Sequence, residues 1–117
     1  MAINPYDKAH ELARAIKGSE VYQRYAAASQ RLRSEPETEQ KLIAFRQLQM
    51  ELSQAQMAGE ALSETKAAHL SLTFGKLRED PVTAEFMEAE ELFIRVYSDI
   101  QNIIQHAVES DLSIQEE

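Results

Sequence analysis

The chain has 117 residues, a formal charge of −8 and no cysteine, and 44% of its residues are hydrophobic. This size and composition predict one domain over residues 1–117, and the lack of cysteine excludes disulfides, thiolate catalysis and cysteine-ligated metal clusters. No apolar run reaches the ~18 residues of a membrane span and no signal-peptide pattern opens the chain, so we expect a cytoplasmic protein without membrane contact.

Prolines, capping residues and glycines divide the chain into five predicted helices. Gly18 and Gly59 lie where helices should end. The prolines follow plausible capping residues, where the first turn of a helix tolerates them, in Asn4-Pro5, Ser34-Glu35-Pro36 and Asp80-Pro81. We predict helices over residues 5–17, 20–33, 36–58, 64–78 and 81–110, followed by an acidic tail that frays from about residue 109 to residue 117.

The first three helices each carry one apolar stripe, as amphipathic helices do when one side faces a core. In the third helix the stripe consists of Leu42, Phe45, Leu48, Leu52 and Ala55. The fourth segment is ambiguous, because Leu70, Leu72 and Phe74 also alternate like a short strand. A lone strand would have no partner, so we predict a helix whose weakest point is Gly75, at a cost of about 1 kcal/mol relative to alanine.

The fifth helix carries the clearest signal in the chain. After a first step of four, its apolar residues are spaced by alternating steps of three and four, and they are Val82, Phe86, Ala89, Phe93, Val96, Ile100, Ile103 and Ala107. This heptad spacing indicates one continuous helix whose apolar side packs along partner helices. The helix would be about 42 Å long at ~1.5 Å per residue, which exceeds the ~35 Å diameter of a compact domain of this size.

We therefore predict an all-α protein, an elongated antiparallel bundle of four to five helices with a long C-terminal heptad helix, which forms a homodimer. The predicted dimer or partner seam lies on the third and fifth helices and comprises Leu52, Phe86, Phe93, Val96, Ile100 and Ile103. Both helices carry suitable stripes, so the sequence leaves open which of them contributes more to the interface.

Late in the third helix, Met50 and Met57 lie among glutamines in a stretch whose one charged residue is Glu51. Methionine-rich surfaces adapt to many partners. We favour ordinary core and dimer packing as the interpretation of this stretch, and we assign no separate site to it.

No motif in the chain predicts catalysis, a cofactor or a metal. His10-Glu11 begins like a zinc-protease helix, but the second ligand position holds Arg14. Di-iron bundles need paired Glu-x-x-His motifs, and only Asp7-x-x-His10 approaches that pattern. The three glycines are scattered, which excludes phosphate-binding and dinucleotide-binding loops. We predict a protein that is not an enzyme, with no catalytic, cofactor-binding or metal-binding residues.

The charge is unevenly distributed along the chain. Residues 1–35 hold six basic and four acidic side chains, whereas residues 36–117 hold six basic and sixteen acidic ones. Nucleic-acid affinity depends mainly on neutralising phosphates, so the acidic majority argues against general DNA or RNA binding. The basic first two helices still permit an alternative, an RNA-processing accessory that contacts RNA or a ribonuclease there. Solvation of helix surfaces is the simpler interpretation of these charges.

Three segments of the chain resemble a known protein family. They are Tyr6-Asp7-x-Ala9-x-x-Leu12-x-x-Ala15-Ile16-x-x-Ser19-x-x-Tyr22, Phe45-Arg46-x-x-Gln49-x-x-Leu52-x-x-x-Gln56-Met57-x-Gly59-Glu60, and Phe86-x-x-Ala89-Glu90-x-x-Phe93 followed by Asp99-Ile100-Gln101-x-Ile103-Ile104. In this order over residues 5–108, they resemble the YlbF/YmcA-like family of small helical proteins from Gram-positive bacteria, and specifically its YheA-like branch.

The resemblance implies an all-helical, dimeric, cytoplasmic protein without known enzymatic activity. Better-studied relatives are regulatory factors in competence, sporulation and biofilm formation, and they work in a complex that modulates ribonuclease Y and RNA processing. Some relatives bind iron–sulfur clusters through cysteines, a property that we do not expect in this cysteine-free chain. Residues and resemblance together predict a homodimeric regulator or adaptor that contacts other regulatory proteins.

Overall fold

The computed structural model describes residues 3–112, which consist entirely of helices and their connections. The five helices are α1 (Pro5–Lys17), α2 (Glu20–Arg33), α3 (Pro36–Met57), α4 (Glu64–Glu79) and α5 (Pro81–Leu112). They begin and end within two residues of the predicted positions, and the prediction of an all-helical fold is confirmed. Of the tail that is predicted to fray, residues 109–112 are helical and residues 113–117 lie outside the described range.

Local capping determines where the helices begin. The side chain of Asn4 accepts a hydrogen bond of 2.9 Å from the backbone N–H of Tyr6, and Pro5 occupies the first turn of α1. Ser63 caps α4, since its hydroxyl accepts a hydrogen bond of 3.2 Å from the backbone N–H of Lys66. These side chains satisfy backbone donors that a helix N-terminus leaves without intrahelical partners.

Two glycines behave differently in the helical hairpin of α3 and α4. Gly59 follows α3 with a φ of +78°, in the left-handed region that residues with a Cβ atom avoid. Gly75 lies inside α4, which continues without a break to Glu79. The strand-like alternation of Leu72 and Phe74 therefore belongs to a helix, as predicted, and both side chains are exposed.

The chain divides into two compact units. The central unit is Ala26–Met87, and the terminal unit combines the residues up to Tyr25 with those from Glu88 onward. Helices α2 and α5 contribute to both units, since the boundaries fall inside them. That the chain forms one domain stays a prediction.

The central unit contains most of the buried apolar side chains of the described residues. They come from α2, α3, α4 and the first two turns of α5, and they are Ala28, Leu32, Leu42, Phe45, Leu77, Val82 and Phe86. Phe45 also stacks on Phe74, with 5.8 Å between the ring centroids. The buried hydroxyl of Thr83 donates a hydrogen bond to the carbonyl of Leu77, which joins the start of α5 to the end of α4.

The terminal unit has little buried surface of its own. Helix α1 contains no buried residue, and Ala89 is the one buried side chain among the described residues of the unit. Its apolar contacts are half-buried instead, and they centre on Phe93 of α5, which packs against Tyr22 and Tyr25 of α2. Since hydrophobic stabilisation scales with the apolar area removed from water, this unit gains little of it from its own chain.

Candidate protein-interaction surface

The structure places the predicted seam residues in different environments, and two of them, Leu52 and Phe86, lie in the central unit. Phe86 is buried there, with the guanidinium of Arg46 at 5.6 Å from its ring centroid. Leu52 is half-buried and lines an open cleft of about 440 Å³ between the end of α3 and the start of α4. Phe86 therefore packs within the chain, and Leu52 lines a cleft between two helices of the same chain.

The cleft lined by Leu52 combines small apolar side chains with charged ones, two of which are paired with each other. Glu51 of α3 and Lys66 of α4 form an ion pair in its lining. Within residues 3–112, no three histidine, aspartate or glutamate side chains are arranged to hold a metal ion. None of the described helices has both the length and the apolarity of a membrane span.

Phe93 lies at the centre of an aromatic cluster in the terminal unit. Its ring stacks on Tyr25 with 5.2 Å between centroids, meets Tyr22 edge-on at 5.6 Å and lies 6.1 Å from Tyr97. Aromatic pairs of this kind contribute about 0.5–1.5 kcal/mol each beyond the burial of area. Phe93 thus joins α5 to α2 within one chain, although its side chain is only half-buried.

Further along α5, the helix becomes exposed on all sides. Val96 and Ile100 are half-buried, but every side chain of residues 101–110 is exposed, and Ile103 is 69% exposed. This part of the helix carries an apolar surface that we call the distal face of α5, which consists of Tyr97, Ile100, Ile103, Ile104, Ala107 and Val108. Their spacing places them on one side of the helix, over an arc of about 140° at ~100° per residue.

An apolar arc of this width is typical of a helix that packs against more than one neighbour, because a two-stranded coiled coil needs only a narrower stripe. Sequence reasoning finds Ile100 and Ile103 but misses Tyr97, Ile104 and Val108. A signal is present, since these three residues form a second stripe with steps of seven and four. The distal face therefore extends the predicted seam around α5.

The basic charge of the first two helices is partly engaged in ion pairs. Arg24 binds Glu88 with 3.2 Å between nitrogen and oxygen, and Lys8 binds Glu11 at 3.5 Å. Each pair offsets a positive charge that a phosphate contact would use. The basic surface that these helices could offer to RNA is therefore smaller than their formal charge indicates.

The sequence matches a protein-family model along almost its whole length. That model is described as "Control of competence regulator ComK, YlbF/YmcA", and it matches residues 6–109. The chain belongs to this family. The match extends from α1 to the last turns of α5, and it confirms the YlbF/YmcA resemblance of the three sequence segments.

Curated relatives place the chain in the YheA-like branch of the YlbF/YmcA family. A UPF0342 protein of Symbiobacterium thermophilum is 34% identical over 107 residues, which are 92% of this chain and 96% of that protein. The UPF0342 protein YheA of Bacillus subtilis is 28% identical over 109 residues, which are 93% of this chain and 93% of that protein. The names of these relatives describe no reaction.

Solved structures share the fold of this YlbF/YmcA-family chain. A protein of unknown function (DUF964) from Bacillus stearothermophilus has a TM-score of 0.75 at 21% identity, covering 96% of this chain and 98% of that chain. A chain in the crystal structure of Bacillus subtilis RicA in complex with RicF has a TM-score of 0.64 at 18% identity, covering 96% and 99%. At these identities the likeness establishes the fold alone.

Proposed function

We propose that this YlbF/YmcA-family protein is a non-enzymatic adaptor that regulates other proteins by binding them through the distal face of α5. A second copy of the chain is the first partner, which makes the protein a homodimer, and related family members are further partners. The observation that carries this proposal is the exposure of a wide apolar face on residues 97–108 of α5.

The exposed apolar area is large enough to stabilise a complex. Ile103, Ile104 and Val108 are 69%, 53% and 53% exposed. Fully burying an aliphatic side chain contributes roughly 1.5–3 kcal/mol, so covering the exposed part of these three would contribute on the order of 3–5 kcal/mol per chain. With Tyr97 beside them, they would form the apolar centre of an interface of the roughly 1,200–2,000 Å² that stable complexes bury.

A two-fold dimer uses this face efficiently, because the same surface of both copies is buried at once. Helix α1 adds support, since it contains no buried residue and belongs to the same unit as the distal face. Leu12 and Ile16 of α1 are only half-buried. A second chain that packs against the terminal unit would cover these side chains as well.

The family comparison supports binding between relatives. A chain of the same fold occurs in the crystal structure of RicA in complex with RicF, and the family model is named for control of the regulator ComK. We therefore extend the proposal to heterodimers with other family members, so that the regulatory effect depends on which partner occupies the distal face. The cytoplasmic location expected from the sequence is part of this proposal.

Light scattering coupled to size-exclusion chromatography tests the homodimer. The mass of one chain is 13.3 kDa, and at micromolar concentration we expect a molar mass of at least twice that value. Ile104→Glu should lower it, because burying an unpaired carboxylate costs roughly several kcal/mol. Asn102→Glu is the matched control, since it adds the same charge at an exposed position on the opposite side of α5. An unchanged molar mass of the Ile104→Glu variant would contradict the proposal.

A further inference from the structure

A second heptad seam, which is uncharged and partly apolar, runs along the side of α3 that faces solvent. Its members, spaced by alternating steps of four and three, are Ile43, Gln47, Met50, Gln54 and Met57. All five side chains are exposed, and those of Ile43, Met50 and Met57 are 39%, 61% and 84% exposed. This α3 seam is separate from the distal face of α5, because it lies on another helix and in the central unit.

The opposite side of α3 is the one that packs within the chain. Leu42 and Phe45 are buried there, and Leu48, Leu52 and Ala55 are half-buried. At ~100° per residue, the middle of the α3 seam lies about 180° around the helix from Leu52. Helix α3 therefore carries apolar side chains on two opposite sides, and its own chain covers one of those sides.

The absence of charge marks the α3 seam as a contact surface. The solvent-facing side of a helix in a globular protein is usually charged or polar, and this chain has a formal charge of −8. No position of the α3 seam is charged, and the nearest charged residues, Arg46 and Glu51, flank it on its two sides. Depletion of charge together with methionine is typical of the centres of protein interfaces.

The glutamines of the α3 seam favour a second copy of the chain as its occupant. In heptad terms, Gln47 and Gln54 take a positions, and Ile43, Met50 and Met57 take d positions. Two α3 helices that lie parallel and in register pair each of these residues with itself, apolar with apolar and amide with amide. A glutamine amide both donates and accepts hydrogen bonds, so the two copies can satisfy each other. An antiparallel pair would set each glutamine against an apolar side chain and leave its amide unpaired.

The flanking charges favour the same orientation. Arg46 takes a g position and Glu51 an e position, and in a parallel pair the g residue of one helix faces the e residue five positions on in the other. A parallel pair therefore brings Arg46 near Glu51 of the second copy, whereas an antiparallel pair brings like charges to the same side. Within the chain, Arg46 contacts the ring of Phe86, and Glu51 forms an ion pair with Lys66. We therefore expect Arg46 and Glu51 to determine the orientation of the two α3 helices more than the affinity between them.

We propose that α3 binds a second copy of this chain, with the two α3 helices parallel and in register along the α3 seam. The distal face of α5 serves the homodimer proposed above, so the chain has two self-association surfaces and forms assemblies larger than a dimer. The two surfaces share no residue, and each can be removed without touching the other.

Cysteine crosslinking tests the orientation, because the chain has no cysteine of its own. Ile43→Cys and Met57→Cys place single thiols at the two ends of the α3 seam. We expect each variant to form disulfide-linked dimers with itself under mild oxidation, since like positions face each other in a parallel pair. Gln49→Cys is the control, exposed on α3 away from the seam, and it should crosslink far more slowly.

Two outcomes of this experiment would overturn the proposal. In the first, Ile43→Cys and Met57→Cys crosslink no faster than Gln49→Cys. In the second, dimers form only when Ile43→Cys and Met57→Cys are mixed, which is the signature of an antiparallel pair.

Molar mass separates the α3 seam from the distal face of α5. We expect Met50→Glu and Ile104→Glu each to reduce the assembly to a dimer, and the double variant to be a monomer of 13.3 kDa. If Met50→Glu leaves the molar mass unchanged, the α3 proposal fails while the α5 proposal stands. If Ile104→Glu leaves the molar mass unchanged, the α5 proposal fails while the α3 proposal stands. Circular dichroism should report unchanged helix content in both single variants, because both positions are exposed.

Discussion

Replacing Phe93 by alanine separates packing within the chain from packing between chains. The ring lies 5.6 Å from that of Tyr22 and 5.2 Å from that of Tyr25, and the side chain is half-buried. Removing a fully buried phenylalanine costs about 3–5 kcal/mol, so we assign about 2 kcal/mol to a half-buried one. Losing the two aromatic pairs adds about 1–3 kcal/mol to this, and we expect the free energy of unfolding to fall by about 3–5 kcal/mol.

Urea denaturation at several protein concentrations measures this loss. If Phe93 packs within one chain, the difference between wild type and variant should be the same at every concentration. A contact across an interface would lose its effect once the protein is diluted below the dissociation constant of the complex. Ile94→Ala is the neighbouring control, and since Ile94 is 53% exposed, we expect it to cost less than about 1 kcal/mol.

A double-mutant cycle with Tyr25→Leu isolates the contact between the two rings. We expect a coupling energy of about 0.5–1.5 kcal/mol between Phe93 and Tyr25. The aromatic cluster would be refuted as the link between α2 and α5 by either of two results. One is a loss in the free energy of unfolding below about 0.5 kcal/mol for Phe93→Ala, and the other is a coupling energy of zero between Phe93 and Tyr25. A loss that disappears on dilution would assign Phe93 to the dimer seam instead.

Three further substitutions test local features of the fold, each by urea denaturation. Thr83→Val removes the buried hydroxyl that donates to the carbonyl of Leu77 and should cost about 1–3 kcal/mol, whereas Thr83→Ser should retain the bond and most of the stability. Gly59→Ala should cost about 1 kcal/mol, because the φ of +78° at Gly59 strains a residue with a Cβ atom. Gly75→Ala should stabilise the protein by up to about 1 kcal/mol, since α4 is helical there and no atom beyond the adjacent residues and the backbone of the surrounding helical turns lies within 4 Å of the added methyl group. A neutral Thr83→Val, a neutral Gly59→Ala or a destabilising Gly75→Ala would each contradict the corresponding reasoning.

The helix boundaries could be predicted from the sequence because their signals are local. Within a helix, proline is tolerated only in the first turn. Each of the three prolines, Pro5, Pro36 and Pro81, begins a helix in the structure. Asn4 supplies the side-chain cap that its position before Pro5 suggests. Such signals act over a few residues and do not depend on what the helix packs against.

The partner of an apolar stripe could not be predicted, because its spacing does not specify which chain covers it. Phe86 and Ile103 belong to one heptad pattern, yet Phe86 is buried in its own chain and Ile103 is 69% exposed. Leu52 fits its stripe equally well and lines a cleft within the chain. Sequence reasoning finds only part of the α3 seam, Met50 and Met57 among glutamines. Because glutamines alternate with the apolar residues, the stripe looks polar, and its continuation to Ile43 is missed.

We expect a second chain to cover the distal face of α5. Hydrogen–deuterium exchange at the backbone amides of residues 101–110 tests this contact most directly, because a helix end without tertiary contacts opens easily and its amides then exchange fast. We predict that these amides exchange about tenfold more slowly at high than at low protein concentration, and that Ile104→Glu removes this protection while Asn102→Glu retains it. If these amides of the wild-type protein exchange fast at every protein concentration, no second chain covers the distal face of α5.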